Sequence, residues 1–125
     1  MTINEAITLA DQMKPNMMSM AAKVRFLNEI EGKIHAEILM KHEHTAEEAI
    51  CPHYDNDTDQ GTELLVKAPY DMVYVYWIMA QIDHRNQETE NFNADYAMFD
   101  NAWGNFGDYW TREHMPLTAM PHYRV

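Results

Sequence analysis

Asp55, Asp57 and Asp59 alternate along the run Asp55-Asn56-Asp57-Thr58-Asp59, the oxygen-rich spacing from which an EF-hand loop binds calcium. That loop needs glycine at its sixth position for a sharp turn and a bidentate glutamate at its twelfth. Here the sixth position is Gln60, with Gly61 one place late, and the twelfth is Val66. The match fails at its two most demanding places, so the run reads as a solvated acidic loop whose three aspartates are candidate contacts for a basic partner. Seven histidines raise zinc chemistry. On a helix His42 and His44 would point about 200° apart and could not share a metal. His35 and His42 share a face, but two ligands do not make a site, and Cys51-Pro52-His53 would add ligands only through a particular fold. Neither HExxH nor CxxC occurs. Glu88 and Glu90 fall on a surface pattern, no Glu-x-x-His pair convincingly faces a bundle interior, and no nucleophile elbow, phosphate loop or dinucleotide fingerprint is present. The expectation is a protein with no catalytic, cofactor-binding or metal-binding residues, and not an enzyme.

A second cluster, Met17-Met18-Ser19-Met20, is flexible and apolar. Such a cluster fills gaps in a core or makes an adaptable contact surface; core filling is the first reading, and Met17 and Met18 are carried as contact candidates. The last nine residues, from Leu117 to Val125, contain Pro121, several apolar side chains and no acidic one. On an acidic chain this tail is a strap over its own core or a docking segment, with Met120 and Tyr123 as its candidate contacts.

The elements that must carry these residues follow from spacing. Thr2 and Glu5 form the pattern of a capping box, and a helix is predicted over Ile3 to Met13, with Ile3, Ala6, Ile7 and Ala10 on one face and Pro15-Asn16 ending it. A long second helix is predicted from Ser19 to His42, on the recurrence of Met20, Val24, Leu27, Ile30 or Glu31, Ile34 and Ile38. Glu29–Lys33 and Glu37–Lys41 are expected ion pairs on its wet side, and Gly32 marks a close contact with another helix. The pattern dissolves from Glu43 to Lys67, a long acidic loop in which Glu63-Leu64-Leu65-Val66 is either a short extended piece or an anchor to the core. A third helix opens at Ala68-Pro69-Tyr70-Asp71, with proline in the first turn, and Met72 to Ala80 is apolar on nearly all sides, which places it centrally.

The fourth helix, Thr89 to His114, carries the strongest pattern. Phe92, Tyr96, Phe99, Trp103, Phe106 and Trp110 repeat at steps of four and three, a heptad stripe of aromatic rings expected to point inward. At about 39 Å it either spans the whole of a domain about 35 Å across or projects from it. Ala94, Ala97, Asn101, Gly104 and Asp108 line the opposite face, where small residues let another backbone approach; Gly104 and Gly107 alternatively mark a bend. The fold expected is all-α, a four-helix bundle-like single domain over residues 1–125 with one long acidic loop and an extended tail over 116–125.

Composition limits function. The chain has 125 residues, 46% of them apolar, with twenty acidic against nine basic residues and a formal charge of −11. This suits one soluble domain with a real core and a surface that repels nucleic acid, since classical DNA-binding modules need a basic stripe. No run of about 18 apolar residues exists to span a membrane, Met1-Thr2-Ile3-Asn4-Glu5 does not begin a secretory signal, and the lone Cys51 makes no internal disulfide, which suits a reducing compartment.

The order of parts carries a resemblance. Lys23-Val24-Arg25-Phe26-Leu27-Asn28-Glu29-Ile30 sits on the long second helix. After the acidic loop, Leu64-Leu65-Val66-Lys67-Ala68-Pro69-Tyr70-Asp71 opens a helix that continues Tyr74-Val75-Tyr76-Trp77-Ile78-Met79-Ala80-Gln81-Ile82-Asp83, and Phe92-Asn93 and Met98-Phe99-Asp100 lie on the last helix. Over residues 2 to 115 the chain resembles head–tail connector (head-completion, neck) proteins of tailed phages and prophages. The resemblance rests on helix order and apolar spacing; the long aromatic helix departs from the shortest members. It implies a structural subunit in the virion or bacterial host cytoplasm, a homo-oligomeric ring, contacts with portal and tail proteins, DNA passing without specific binding, and no cofactor. The alternative from the residues alone is an acidic intracellular binding or regulatory module, of the DNA-mimic or anti-repressor type, working through Asp55 to Asp59.

Overall fold

The most apolar segment of the chain is also its centre. A computed structural model describes residues 1–117 and places four α-helices in order: α1 (Ile3–Met13), α2 (Met20–Glu37), α3 (Met72–Arg85) and α4 (Thr89–Glu113), with a short 3₁₀ turn, Leu39–Lys41, after α2. Nine of the fourteen residues of α3 are buried, and α1, α2 and α4 each pack on it. A helix apolar on nearly all sides has no face to give to water, so the other three surround it. The architecture is the all-α, bundle-like one expected.

The capping box of α1 forms: Thr2 N–H donates to Glu5 Oε1 at 2.8 Å and Glu5 N–H to Thr2 Oγ1 at 3.1 Å. Ile3, Ala6, Ile7 and Ala10 are its buried face. On α2 the buried residues are Lys23, Val24, Phe26, Leu27, Ile30, Glu31 and Ile34, so both Ile30 and Glu31 belong to the inner face.

Several expectations are corrected. The second helix ends at Glu37 rather than His42, because Ile38 and Leu39 turn inward to the core. The surface ion pair observed is Lys33–Glu37 at 3.1 Å, not Glu29–Lys33 or Glu37–Lys41. A Cβ built on Gly32 meets nothing within 4 Å, so this glycine marks no close helix contact. The same holds for Gly104 and Gly107, and α4 runs unbroken through both. Pro69 lies in the turn before α3 rather than in its first helical turn.

The stretch between Lys41 and Met72 has no helix but is held at several places. Thr2 and Glu63 form an antiparallel bridge, with Leu64 N–H donating to the Met1 carbonyl, and Leu64 and Val66 are fully buried anchors. A second bridge joins His42 to Pro116, and the amide of Leu117 donates to the Lys41 carbonyl at 2.9 Å. The chain leaving α4 is therefore strapped against the exit of α2; Met120 and Tyr123 lie outside the described residues.

The aromatic stripe faces α3, but only Phe99 and Phe106 are buried. Phe99 packs on Trp77 at 5.0 Å between ring centroids and Phe106 lies 6.5 Å from Tyr70. The other four rings are half covered. Length is the reason: fourteen residues of α3 extend about 21 Å and twenty-five of α4 about 38 Å, so the seam outruns its partner. The small residues Ala94, Ala97, Asn101, Gly104 and Asp108 are exposed.

Candidate functional site

The α1–α2 connection is a shaped tip. Asn16 fixes it: its side-chain amide donates to Asp11 Oδ1 at 2.9 Å and to the Lys14 carbonyl at 3.0 Å, while its Oδ1 accepts the Met18 amide at 3.0 Å. Asp11 is held in turn by the buried Lys23, 2.9 Å away. Ser19 then caps α2 by accepting the Ala22 amide. With both sides tied down, Met17 is fully exposed and Met13 and Met20 are about half exposed, whereas Met18 tucks partly against the core. The expectation that this methionine cluster fills the core is corrected for Met17 and Met20: the turn that Asn16 imposes points them outward.

Beneath the long loop lies a carboxylate that sequence spacing only half reveals. Glu31 has no exposed surface. Its Oε1 accepts from the Tyr74 hydroxyl at 2.5 Å, and its Oε2 accepts from the Tyr54 hydroxyl at 2.7 Å and the Leu65 amide at 3.0 Å. Tyr74 also accepts the Val66 amide at 2.8 Å. Burial raises the Glu31 pKa, opposed by the hydrogen bonds from Tyr74, Tyr54 and Leu65 and by the charge of Lys67. Burial, and then the charge of Glu31, raise both tyrosine pKa values. Three donors on one carboxylate fix the loop to α2 and α3. From above, Asn28 clamps Tyr54 by accepting its amide at 2.8 Å and donating to its carbonyl at 2.7 Å. With no exposed surface, the Glu31 carboxylate fastens the loop to α2 and α3.

A second buried carboxylate joins three elements. Asp83 of α3 has no exposed surface, and Lys14, which ends α1, places Nζ 2.8 Å from its Oδ1 and 3.3 Å from Oδ2 of Asp95 on α4. The contact to Asp83 is an ion pair without hydrogen-bond alignment, and neither Asp83 oxygen has a hydrogen-bond partner among the described residues. Burial, and then the neighbouring Asp95 carboxylate, push the Asp83 pKa up to about 6 from its ordinary 3.8, against the pull of Lys14. The same acids raise the Lys14 pKa. Nothing in the local sequence pairs residues 14, 83 and 95; only their placement on inner faces of three helices hints at it.

The acidic loop is held by its own carboxylates. Asp55 Oδ1 accepts the Asp57 amide and the Thr58 hydroxyl, and Asp59 Oδ1 accepts the Gly61 amide. All three aspartates are exposed, and each of these bonds closes a turn. The histidines are likewise dispersed. His42 lies just past the 3₁₀ turn rather than on a helix, between the Ile38 carbonyl at 2.7 Å and Thr111 Oγ1 at 3.0 Å. His35 contacts the Glu48 carbonyl, and His114 stacks on Trp110 at 3.7 Å. No group of three or more histidine, cysteine or acidic side chains gathers into a metal-holding set among the described residues. Trp103 is covered on one side by Lys33, whose Nζ stands 5.7 Å from the ring centroid. A shallow groove of about 480 Å³ lies between α2 and the loop, with Arg25, Glu29 and His53 among its lining residues.

No family model matches this chain, and neither a curated protein nor a solved structure is found similar to it. No helix among the described residues is long and apolar enough to cross a membrane.

Proposed function

We propose that this chain is a virion structural subunit of a tailed phage, a head–tail connector or neck protein that acts through protein–protein contacts with its own copies and with portal and tail proteins. The observation that supports this reading most is the tip at the α1–α2 connection, where Asn16 and Ser19 hold the backbone while Met13, Met17 and Met20 face solvent. Exposed, adaptable apolar side chains on a backbone already ordered suit docking, because less freedom is lost on binding. Both carboxylates with no exposed surface, Glu31 and Asp83, serve as joints between elements, which fits a role in holding shape. The formal charge of −11 suits a wall past which DNA slides, since a repelled polyanion finds no phosphate-binding traps.

The test is assembly. Purified protein, alone and mixed with a tailed-phage portal protein, is examined by electron microscopy and mass photometry. Ring-shaped oligomers or a defined portal complex, lost in Met17→Glu, are the expected result. A protein that stays monomeric and ignores portal and tail proteins under all conditions overturns the reading. The rival reading as a DNA mimic would rely on Asp55, Asp57 and Asp59; the carboxylates of Asp55 and Asp59 already brace their own loop, and that reading gains no specific support.

A further inference from the structure

We propose that Asp83, Lys14 and Asp95 form a proton-sensing joint, which tightens the seam between α1, α3 and α4 when the trio takes up one proton. The charges decide it. Two carboxylates share one ammonium group, with Nζ 2.8 Å from Asp83 and 3.3 Å from Asp95, so the ionised trio carries one uncompensated negative charge. Asp83 has no exposed surface and its oxygens lack hydrogen bonds, so water relieves little of that excess.

Among the described residues no other cation completes the trio. On α1, Asp11 is tied to Lys23 of α2 and to Asn16. On α3 itself, His84 is exposed with its ring 5.7 Å from that of Phe92, and the Arg85 guanidinium lies over Phe26 at 5.4 Å. The turn before α4 brings only Glu88, a further acid, whose amide donates to the Asp83 carbonyl. On α4, Asp95 is the facing group.

A proton from solvent supplies the missing charge. Lys14 and Asp95 are 20% and 16% exposed at the rim, which gives it a path. On Asp83 it becomes an O–H that donates toward the Asp95 carboxylate, and the trio becomes neutral. Two like charges that separate α3 from α4 are thereby replaced by a hydrogen bond that joins them. Lys14 also opens the α1–α2 connection, so the root of the methionine tip belongs to the same joint. The joint operates whatever docks at that tip, and its failure leaves the docking reading untouched.

Carboxyl-carbon NMR titration of the full chain tests this. In the unaltered protein the Asp83 carboxyl should titrate with a midpoint near pH 6, well above an ordinary aspartate. Asp95→Asn should move that midpoint down towards the ordinary range by removing the neighbouring negative charge, and Lys14→Met should move it up. Protection factors of the amides at the start of α4, taken relative to the intrinsic exchange rate at each pH, should rise as the proton binds. An Asp83 midpoint in the ordinary carboxylate range in the unaltered protein overturns the proposal, as does a midpoint unmoved by Asp95→Asn. The first measurement needs no variant, so a misfolded substitution leaves the question decidable.

Discussion

Tyr74 donates its hydroxyl hydrogen to Glu31 and accepts the Val66 amide with the same oxygen, at 2.5 and 2.8 Å. One phenol on α3 thus joins the carboxylate of α2 to the end of the long loop. Tyr54 serves only one partner through its hydroxyl, Glu31 Oε2. Buried polar groups left without partners are costly, about 1–3 kcal/mol each.

Tyr74→Phe should therefore destabilise the protein more than Tyr54→Phe, since it orphans both the Val66 amide and one side of Glu31. Losses of about 2–4 and about 1–2 kcal/mol follow from the number of groups stranded. Glu31→Leu should be at least as damaging as Tyr74→Phe, because two hydroxyls and the Leu65 amide lose their acceptor. Urea unfolding of the three variants gives the order directly; equal losses for the two tyrosines would contradict the double role of Tyr74.

Stability should rise on mild acidification. Asp83 is raised to about 6 in the folded chain from an ordinary 3.8, and Glu31 is raised as well. A group with a raised folded pKa binds its proton more readily in the native state. Its contribution is complete below the unfolded value and is lost as pH climbs through the folded one. For Asp83 the gain accumulates from about pH 6 down to 3.8, on the order of 1–3 kcal/mol. Thermal unfolding between pH 7.5 and 5 should show a rising midpoint, and Asp83→Asn should flatten much of the rise. Relief of the overall negative charge acts in the same direction but is screened by salt, so repeating the series at high ionic strength separates the two.

How far the sequence foretells these features depends on whether the cause is local. Helices α1, α3 and α4 are legible because caps and apolar periods are local signals, and α3 reads as central because it is apolar on nearly all sides. The position of Glu31 was half legible: Val24, Leu27, Glu31, Ile34 and Ile38 keep the three-four step, which places a carboxylate on the inner stripe. Its partners Tyr54 and Tyr74 come from 23 and 43 residues away, and no period reports them. Lys14, Asp83 and Asp95 were missed for the same reason. The methionines were misread because hydrophobicity says what a side chain prefers, whereas the turn built by Asn16 decides where Met17 points. The aromatic stripe gave the right face of α4 and too great a depth, since periodicity carries no information on how far the partner helix extends.

The end of α3 offers a cheap gain in stability. Gln87 adopts φ 59°, its amide donates to the His84 carbonyl and the Glu88 amide to the Asp83 carbonyl. This is a Schellman cap, whose left-handed residue is usually glycine because a Cβ is disfavoured there. Gln87→Gly should raise stability by about 0.5–1 kcal/mol, the relieved strain outweighing the extra freedom of the unfolded chain. Denaturant melts comparing it with Gln87→Ala, which keeps the Cβ, check the cause.

Gly32 makes the opposite case. It sits inside α2 with helical neighbours on both sides, and an added Cβ would meet nothing within 4 Å. Gly32→Ala should stabilise by about 0.5–1 kcal/mol through helix propensity alone. A loss in chemical unfolding would mean that a second molecule approaches this face in solution, and would be visible as a dependence on protein concentration.

Shape and contact at the α1–α2 tip can be separated. Met17 touches little, so Met17→Ser should leave the unfolding free energy within about 0.5 kcal/mol of its starting value. Asn16→Ala removes the bonds to Asp11, Lys14 and Met18 and should cost about 1–2 kcal/mol. If the tip docks as an ordered knob, both variants weaken association measured by mass photometry or surface plasmon resonance with portal protein. Met17→Ser does so by losing contact area, and Asn16→Ala does so with every methionine still present, because a loosened backbone must be ordered again on binding. Undiminished association by Asn16→Ala would mean that preorganisation contributes nothing and that the methionines act only as an apolar patch.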